Sequence, residues 1–436
     1  MTASANEIYD QSMVPSVITT RVVVFLCFLA MVSEGYDIGI MGVIIPTLLQ
    51  DQSWNISPIY GGYIGSAALV GTMVGCYLFS ALSDLFGRKK LLIFCLILFT
   101  SSMILAAFAP NPTVFVLARG LCSLGVGGII PITCALTAEY SDPKTKNFNF
   151  ALMYCGYPAG ALLAALTGMF WINELGWRYL VGLGAIPLLL VPFLIRFLPE
   201  SMSFLLAKGK KQQALKLAHK IGIDEQSVHA YQQGKVQGKS SIVKILQELF
   251  SKQHIKPTLL FWSSQIATVM GVYGLSTWLP QIMRKNGYGI SSSISFLAVF
   301  MLAAGLGSLF IGRLTDKLNT RRTIVVFYVI GALSIFCLSV NYNVFVTYIL
   351  VALSGLGIVG VGMVQLGYIT HYYPTSIRAS ATGWAIGVGR LGAILGPIIG
   401  GYLVANTTNT DASFYLFSCA ALVAAISIFF TPKNIG

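Results

Sequence analysis

Residues 80–90 read Ser80-Ala81-Leu82-Ser83-Asp84-Leu85-Phe86-Gly87-Arg88-Lys89-Lys90, and residues 312–322 read Gly312-Arg313-Leu314-Thr315-Asp316-Lys317-Leu318-Asn319-Thr320-Arg321-Arg322. Each stretch sets an acid at the end of a long apolar run and a basic pair just beyond it. A second match lies further along: Gly156-Tyr157-Pro158-Ala159-Gly160 and Gly392-Ala393-Ile394-Leu395-Gly396-Pro397. The same punctuation at corresponding places marks an internal repeat. Parallel repeats of apolar spans are one layout of membrane transporters.

Working outward from these turns, every flanking segment is apolar. A bilayer core of about 30 Å takes about 20 apolar residues in a helix. Twelve runs qualify: 22–49, 60–82, 91–109, 112–138, 148–171, 178–197, 257–283, 293–313, 323–340, 344–370, 379–405 and 412–430. Pro110 and Pro112 separate the third from the fourth, because proline ends a helix. Asn341-Tyr342-Asn343 separates the ninth from the tenth. Composition agrees: 56% of residues are hydrophobic and only 10% are charged, against about 25% charged in soluble domains. The expected fold is all-α and membrane-embedded, with twelve transmembrane helices in two pseudo-symmetric six-helix halves. The halves span residues 1–197 and 257–436, with a linker at 198–256. Within the linker, Ala207–Lys220 and Ile242–Phe250 read as short amphipathic helices. The first apolar run contains Glu34 and Asp37 and is long enough to span, so it reads as a span and not a cleavable signal.

Charge supplies an orientation. Of the 28 Lys and Arg residues, Arg178, Arg284 and Lys285 fall on one side, and Arg119 and Arg390 lie inside spans. All the others gather on the opposite side, with the linker and both termini. That side is expected to be cytoplasmic, in a multi-pass protein of the inner (plasma) membrane. This placement accounts for the net charge of +13 without nucleic acid as a partner. The eight cysteines lie in apolar stretches with no CxxC pair and read as small buried hydrophobes. His219, His229, His254 and His371 lack metal-ligand spacing. No GxxxxGK[ST] phosphate loop occurs. The chain is expected to be no enzyme, to need no cofactor or metal, and to act as a monomer.

A charge near the bilayer centre costs several kcal/mol unless paired or hydrated, so intramembrane charges are functional candidates. Four stand out: Glu34, Asp37, Arg119 and Arg390. Asp37 lies roughly 22 Å along the first span from its cytoplasmic start, and Arg119 about 10 Å into the fourth from the other side. These depths match, so an Asp37–Arg119 pair is expected if the two spans are neighbours. Arg390 lies about 16 Å into span eleven, near the midplane.

At the turns quoted above, the chain resembles the major facilitator superfamily, whose cytoplasmic motif is G-x-x-x-D-R/K-x-G-R-R/K. Ser80 and Leu85 depart from it in the first copy, Asn319 and one extra residue in the second. A closer resemblance is to the aromatic acid:proton symporters. Glu34-Gly35-Tyr36-Asp37 is similar to their D-G-Y/F-D, with Glu for the first Asp. Arg119, then Gly125-Val126-Gly127-Gly128, Pro131 and Glu139-Tyr140, is similar to their fourth span, with Ile132 where Asn is usual. Pro199-Glu200-Ser201 with Phe204-Leu205 matches the exit from span six. Tyr373-Pro374-Thr375-Ser376-Ile377-Arg378-Ala379, Gly383-Trp384, Gly389-Arg390 and Gly396-Pro397 match span eleven. The resemblance implies proton-coupled import of a benzoate-like carboxylate by alternating access. Sugar, polyol and nicotinate carriers of the same superfamily share parts of the pattern, and sequence sets no direction of transport, so efflux stays open.

On this reading, Asp37 with Glu34 binds the coupling proton, because a carboxyl's proton affinity depends on burial and on a neighbouring guanidinium. Arg390 holds the substrate carboxylate through its planar fork, with Arg119 as a second cationic candidate. The aromatic candidates along the path are Tyr63, Tyr154, Tyr273, Trp278, Tyr368 and Trp384. Asp84, Arg88, Glu139, Asp316, Arg321 and Arg378 lie at cytoplasmic helix ends and are expected to form a gate that latches the halves. The expected partners are a small organic anion, protons and the lipid bilayer.

Overall fold

The breaks between apolar runs become helix caps and joints. The computed structural model describes residues 17–142, 145–221, 248–251, 253–340, 342–373, 378–407 and 410–432, and every regular element among them is helical. Helices α1 (Val17–Leu48), α2 (Pro58–Phe86), α3 (Arg88–Ala107) and α4 (Pro112–Glu139) follow the first four expected spans. Ser57 caps α2 by accepting from the Tyr60 amide at 3.2 Å, and Asn111 caps α4 by accepting from the Val114 amide at 2.9 Å. Each cap precedes a proline at the first helical position, where a missing N–H leaves nothing unsatisfied. Gly87 turns the chain between α2 and α3 with φ +103°.

The fifth and sixth spans are jointed. Helix α5 (Lys146–Tyr154) stops before α6 (Gly156–Leu183), because Pro158 has no N–H to give the Tyr154 carbonyl. The expected end at residue 171 is passed without interruption, and the joint falls at Gly176 (φ 75°, ψ 171°). A 3₁₀ turn (Ile186–Leu189) and α7 (Leu190–Phe197) complete the passage. The sixth span is therefore a chain of short pieces and not one helix, with Pro187 and Pro192 denying it two backbone donors. In the linker, α8 (Met202–Ala207) and α9 (Lys211–Ile221) are formed. The expected Ile242–Phe250 helix lies outside the described residues except for 248–250.

The second half contains α10 (Ile255–Lys285), α11 (Ile290–Lys317), α12 (Thr320–Cys337) and α13 (Val344–Gly355). A π-helical turn (Leu356–Gly360) follows, then α14 (Val361–Tyr372), α15 (Arg378–Asn406) and α16 (Asp411–Phe429). Asn343 caps α13 on the Val346 amide at 2.9 Å, at the break expected near 341–343. Among the described residues, ten passages are long and apolar enough to cross a membrane. The other two expected spans are the jointed sixth and α10. Helix α10 is long enough at 31 residues but more polar, because it carries Ser264, Gln265, Thr268, Tyr273, Ser276 and Thr277 on buried positions. Large side chains such as Leu117 (64% exposed) and Leu306 (62%) face outward, where lipid and not water is their natural surrounding.

The packing repeats. In the first half α1 packs on α6 and α2 on α4; in the second, α10 packs on α15 and α11 on the α13–π-turn segment. The halves meet through α2 with α15, α6 with α11, and α1 with α10. Glycines explain the tightest pairs. A Cβ on Gly156 would stand 2.5 Å from the Phe28 carbonyl oxygen, and Gly160 abuts that of Val32. In the second half, Gly392 abuts the Ile266 carbonyl, and a Cβ on Gly396 would stand 2.6 Å from that of Met270. The two GxxxG pairs occupy equivalent places, α6 on α1 and α15 on α10, and allow backbone-to-backbone contact as small residues do between membrane helices.

Contacts between the halves gather at the end bearing the 49–57 and 284–290 connections. Ser66 Oγ donates to the Ile394 carbonyl at 2.8 Å, Arg284 to that of Pro46 at 2.8 Å, and Asn173 to Ser291 Oγ at 3.1 Å. Trp278, fully buried, fills the space left by Gly61, Gly400 and Gly401 at this end.

Candidate functional site

A central cavity lies between the halves, with about 650 Å³ of empty space including its open mouth. Glu34 of α1, Tyr154 of α5 and Tyr157 of α6 line one side. On the other side α10 contributes Gln265, Thr268, Val269, Val272 and Tyr273, the π turn Val359, α14 Gly362, Met363 and Leu366, and α15 Ile386 and Arg390. The joint at Cys155 sets Tyr154 and Tyr157 on the wall, and the Gly156–Gly160 contact brings them up against Glu34.

Arg390 is 8% exposed, and its Nη1 donates to Tyr273 Oη at 3.0 Å. No acid comes within ion-pair distance of it among the described residues. Glu34, 2% exposed, feels its charge from within the same cavity, and Glu34 Oε2 has no hydrogen-bond partner. The Tyr157 hydroxyl lies beside that of Tyr273 without the geometry of a hydrogen bond. The cavity thus offers a cation with open donors, one unsatisfied carboxyl oxygen, three tyrosine rings and an aliphatic wall.

Asp37 and Arg119 form a buried ion pair, the contact expected from their matching depths. Arg119 Nη2 also donates to the Asp37 carbonyl at 3.0 Å. Cys122 Sγ and Ser123 Oγ donate to the Asp37 carboxylate, each at 3.3 Å. Arg119, Cys122 and Ser123 share one face of α4 by their i, i+3 and i+4 spacing. Cys122, expected as a plain hydrophobe, is a ligand of the pair, and the spacing from Arg119 was its signal. Neither Asp37 nor Arg119 lines the cavity. Glu34 connects them to it, standing one turn from Asp37 on the same face of α1.

Among the aromatic candidates, Tyr154 and Tyr273 line the cavity and the others stand elsewhere. Trp278, expected on the substrate path, is sealed between helices and donates Nε1 to the Pro397 carbonyl at 2.9 Å. Tyr368 packs among Phe261 and Tyr372. Trp384 is 44% exposed and stacks on Trp262, and Tyr63 is 54% exposed. Periodicity places an aromatic on a helix but not the rotation of that helix in the bundle. Tyr157, Gln265 and Thr268, absent from the expected set, are brought in by the tertiary packing.

Three of the six expected gate residues have described side chains. Arg88 pairs with Glu139 at 2.6 Å, and Glu139 also accepts from Ser201 Oγ at 2.8 Å and the Ser203 amide at 2.7 Å. Glu200 Oε1 accepts from the Lys89 amide at 3.0 Å, and its Oε2 fits beside Gly87, where a Cβ would stand 2.5 Å away. These contacts join the first half to the start of the linker, at Glu200, Ser201 and Ser203. In the second half, Arg321 donates to the Thr431 carbonyl at 2.6 Å. Among the described residues, Arg88 and Glu139 thus tie the ends of α3 and α4 to the start of the linker, and Arg321 ties α12 to the end of α16. The side chains of Asp84, Asp316 and Arg378 lie outside the described residues. Glu139→Gln should lower the apparent melting temperature in detergent, for a loss of about 1–2 kcal/mol from this part-buried network. A melting temperature equal to wild type would contradict the bracing role.

Comparison with known proteins follows this geometry. The Major Facilitator Superfamily profile matches residues 27–302 and 282–434. The chain is 33% identical to the benzoate transport protein of Acinetobacter baylyi over 417 residues, covering 93% of this chain and 88% of that protein. It is 30% identical to the gallate transporter of Pseudomonas putida over 412 residues, covering 93% and 90%. Among solved structures, the partially occluded inward-open xylose transporter XylE of E. coli superposes with a TM-score of 0.77 at 17% identity, covering 95% of this chain and 100% of that one. At that identity the likeness establishes the fold alone.

Proposed function

This chain belongs to the Major Facilitator Superfamily and is a membrane transporter, and from that premise we propose that it carries an aromatic monocarboxylate into the cell together with protons, by alternating access. The observation that carries this reading is Arg390: a midplane guanidinium lining the cavity, anchored by the Tyr273 hydroxyl and, among the described residues, without an acid at ion-pair distance. A carboxylate completes it with a bidentate pair, and the tyrosines and aliphatic wall accept a ring. A neutral sugar would leave that cation uncompensated in the membrane interior. The names of the relatives, benzoate and gallate transporters, agree with the chemistry. A nicotinate-type acid fits the same anchor.

The proton enters through Glu34. When ionised, its carboxylate shares the field of Arg390 and competes with the substrate for it. When protonated, it leaves Arg390 to the substrate. Asp37, one turn away, exchanges a proton when its contact with Arg119 opens. Residues 1–197 and 257–436 act as the two moving bodies of a monomer, with 198–256 and both termini on the cytoplasmic side of the plasma membrane. The contacts at the opposite end, around Ser66–Ile394 and Trp278, fit a state closed outward.

Uptake of labelled benzoate, 4-hydroxybenzoate, nicotinate and glucose into energised vesicles, with and without a protonophore, tests the proposal. Carboxylate uptake abolished by the protonophore is expected; accumulation of glucose alone would overturn it. Glu34→Gln supplies a second test. Because acid neutralises Glu34, wild-type affinity for the carboxylate should rise as pH falls. Glu34→Gln should bind at least as tightly at neutral pH, with its affinity flat between about pH 5 and 8. A variant that retains the wild-type pH profile would remove Glu34 from the coupling.

A further inference from the structure

Just over two turns of α10 separate Gln265 from Tyr273, roughly 12 Å of helical rise, and both line the cavity. The wall between them is aliphatic, apart from Thr268. Gln265 is a costly residue there: 5% exposed, on a membrane helix, facing the cavity. Its orientation is set from behind. The Gln365 side-chain oxygen accepts from Tyr328 Oη and from Ser264 Oγ at 3.2 Å, while Thr268 Oγ1 gives its one proton over a shorter distance, 2.8 Å to the Ser264 carbonyl. Two donors on that oxygen leave the Gln365 amide nitrogen to turn toward Gln265, where it donates to Gln265 Oε1 at 3.2 Å. Gln265 answers with its carbonyl, and its own NH₂ group is left without a protein partner among the described residues. A separate feature seats the side chain: a Cβ on Gly389, the neighbour of Arg390, would stand 2.7 Å from Gln265 Cγ. The glycine lets the glutamine lie against α15 and reach the cavity.

A buried donor with a braced carbonyl and an open NH₂ group is built to meet an acceptor. We propose that Gln265 is a specificity-determining residue, whose amide reads an oxygen or nitrogen atom on the end of the aromatic ring remote from the carboxylate. The inference rests on the carboxylate reading of Arg390. It adds a second polar contact to the same cavity, two turns of α10 from Tyr273 and held in register by the Gln365–Tyr328–Thr268 network. A hydroxyl opposite the carboxylate reaches it; a hydroxyl beside the carboxylate does not.

The test is competition against labelled benzoate in counterflow with purified protein in liposomes, using benzoate, 4-hydroxybenzoate and 2-hydroxybenzoate as competitors. Wild type should prefer 4-hydroxybenzoate to both others. In Gln265→Leu, the ratio of 4-hydroxybenzoate to benzoate affinity should fall about tenfold, the loss of one buried hydrogen bond, and the 2-hydroxybenzoate ratio should not move. Gln365→Leu leaves Gln265 in place but unbraced, and should lose part of the same preference. An unchanged 4-hydroxybenzoate ratio in Gln265→Leu overturns the proposal. If that variant fails to assemble, an unchanged ratio in Gln365→Leu overturns it. Wild-type protein that binds none of the three acids tells instead against the carboxylate anchor at Arg390, and the inference falls with it.

Discussion

Arg390→Leu should weaken benzoate binding by at least about a hundredfold while leaving the protein folded. On the proposed reading, the substrate carboxylate leaves water to enter a cavity within the membrane, and its compensation there is the guanidinium of Arg390. Removing one member of a buried charge pair costs about 3 kcal/mol or more, which is about two decades of affinity. Arg390 has no acid within ion-pair distance among the described residues, and Glu34, which shares its field, can take up a proton when Arg390 is lost, so the bundle should stay folded. Arg390→Lys keeps the charge but loses the planar fork and the reach to Tyr273 Oη, now at 3.0 Å. It should fall between the two, weaker than wild type by about tenfold. Counterflow affinities measured beside melting curves separate binding from folding. If Arg390→Lys binds benzoate as wild type does, the two-bond anchor is wrong.

Asp37→Asn should abolish uphill accumulation driven by a pH gradient while sparing exchange of substrate down its own gradient. The reason is the isolation of the pair: Asp37 is 2% exposed, Arg119 is 1% exposed, and neither lines the cavity. A substrate bound in that cavity would not touch them, so a defect there is expected to separate coupling from binding. The same burial carries a cost. Asn leaves Arg119 charged and unpaired, and breaking a buried pair from one side costs about 3–5 kcal/mol. Asp37→Asn should therefore melt at a lower temperature, and Asp37→Asn with Arg119→Leu should recover much of the stability without recovering accumulation, since the two losses are not additive. Full pH-driven accumulation by Asp37→Asn would remove Asp37 from the coupling mechanism.

Much of the site was legible because membrane interiors are unforgiving. Glu34, Asp37, Arg119 and Arg390 stand out in apolar runs, and helical rise alone brought Asp37 level with Arg119. The partners of the pair were less visible. Cys122 and Ser123 are ordinary residues of a membrane helix until Arg119 is known to face α1. Gln265 was hidden for another reason: an amide carries no charge, and its role depends on Gln365, on another helix a hundred residues away. The aromatic candidates divided because spacing along a helix does not reveal its azimuth. Tyr273 points inward, Trp384 outward, and Trp278 into a glycine-lined seam.

Taken alone, the sequence determined the class of molecule. Apolar runs of bilayer length, the repeated turns at 80–90 and 312–322, and the one-sided distribution of Lys and Arg follow from local chemistry and from solvation by lipid, which each segment meets independently. The tertiary structure decided what depends on relations between segments. It jointed the fifth and sixth spans at Cys155 and Gly176 and sealed the Asp37–Arg119 pair away from the cavity. It tied Glu139 to the start of the linker and Arg321 to the Thr431 carbonyl. It also set Arg390, Glu34 and Gln265 around one space. Those outcomes rest on which helices touch and how each is rotated, and close contact at Gly156, Gly160, Gly392 and Gly396 fixes both.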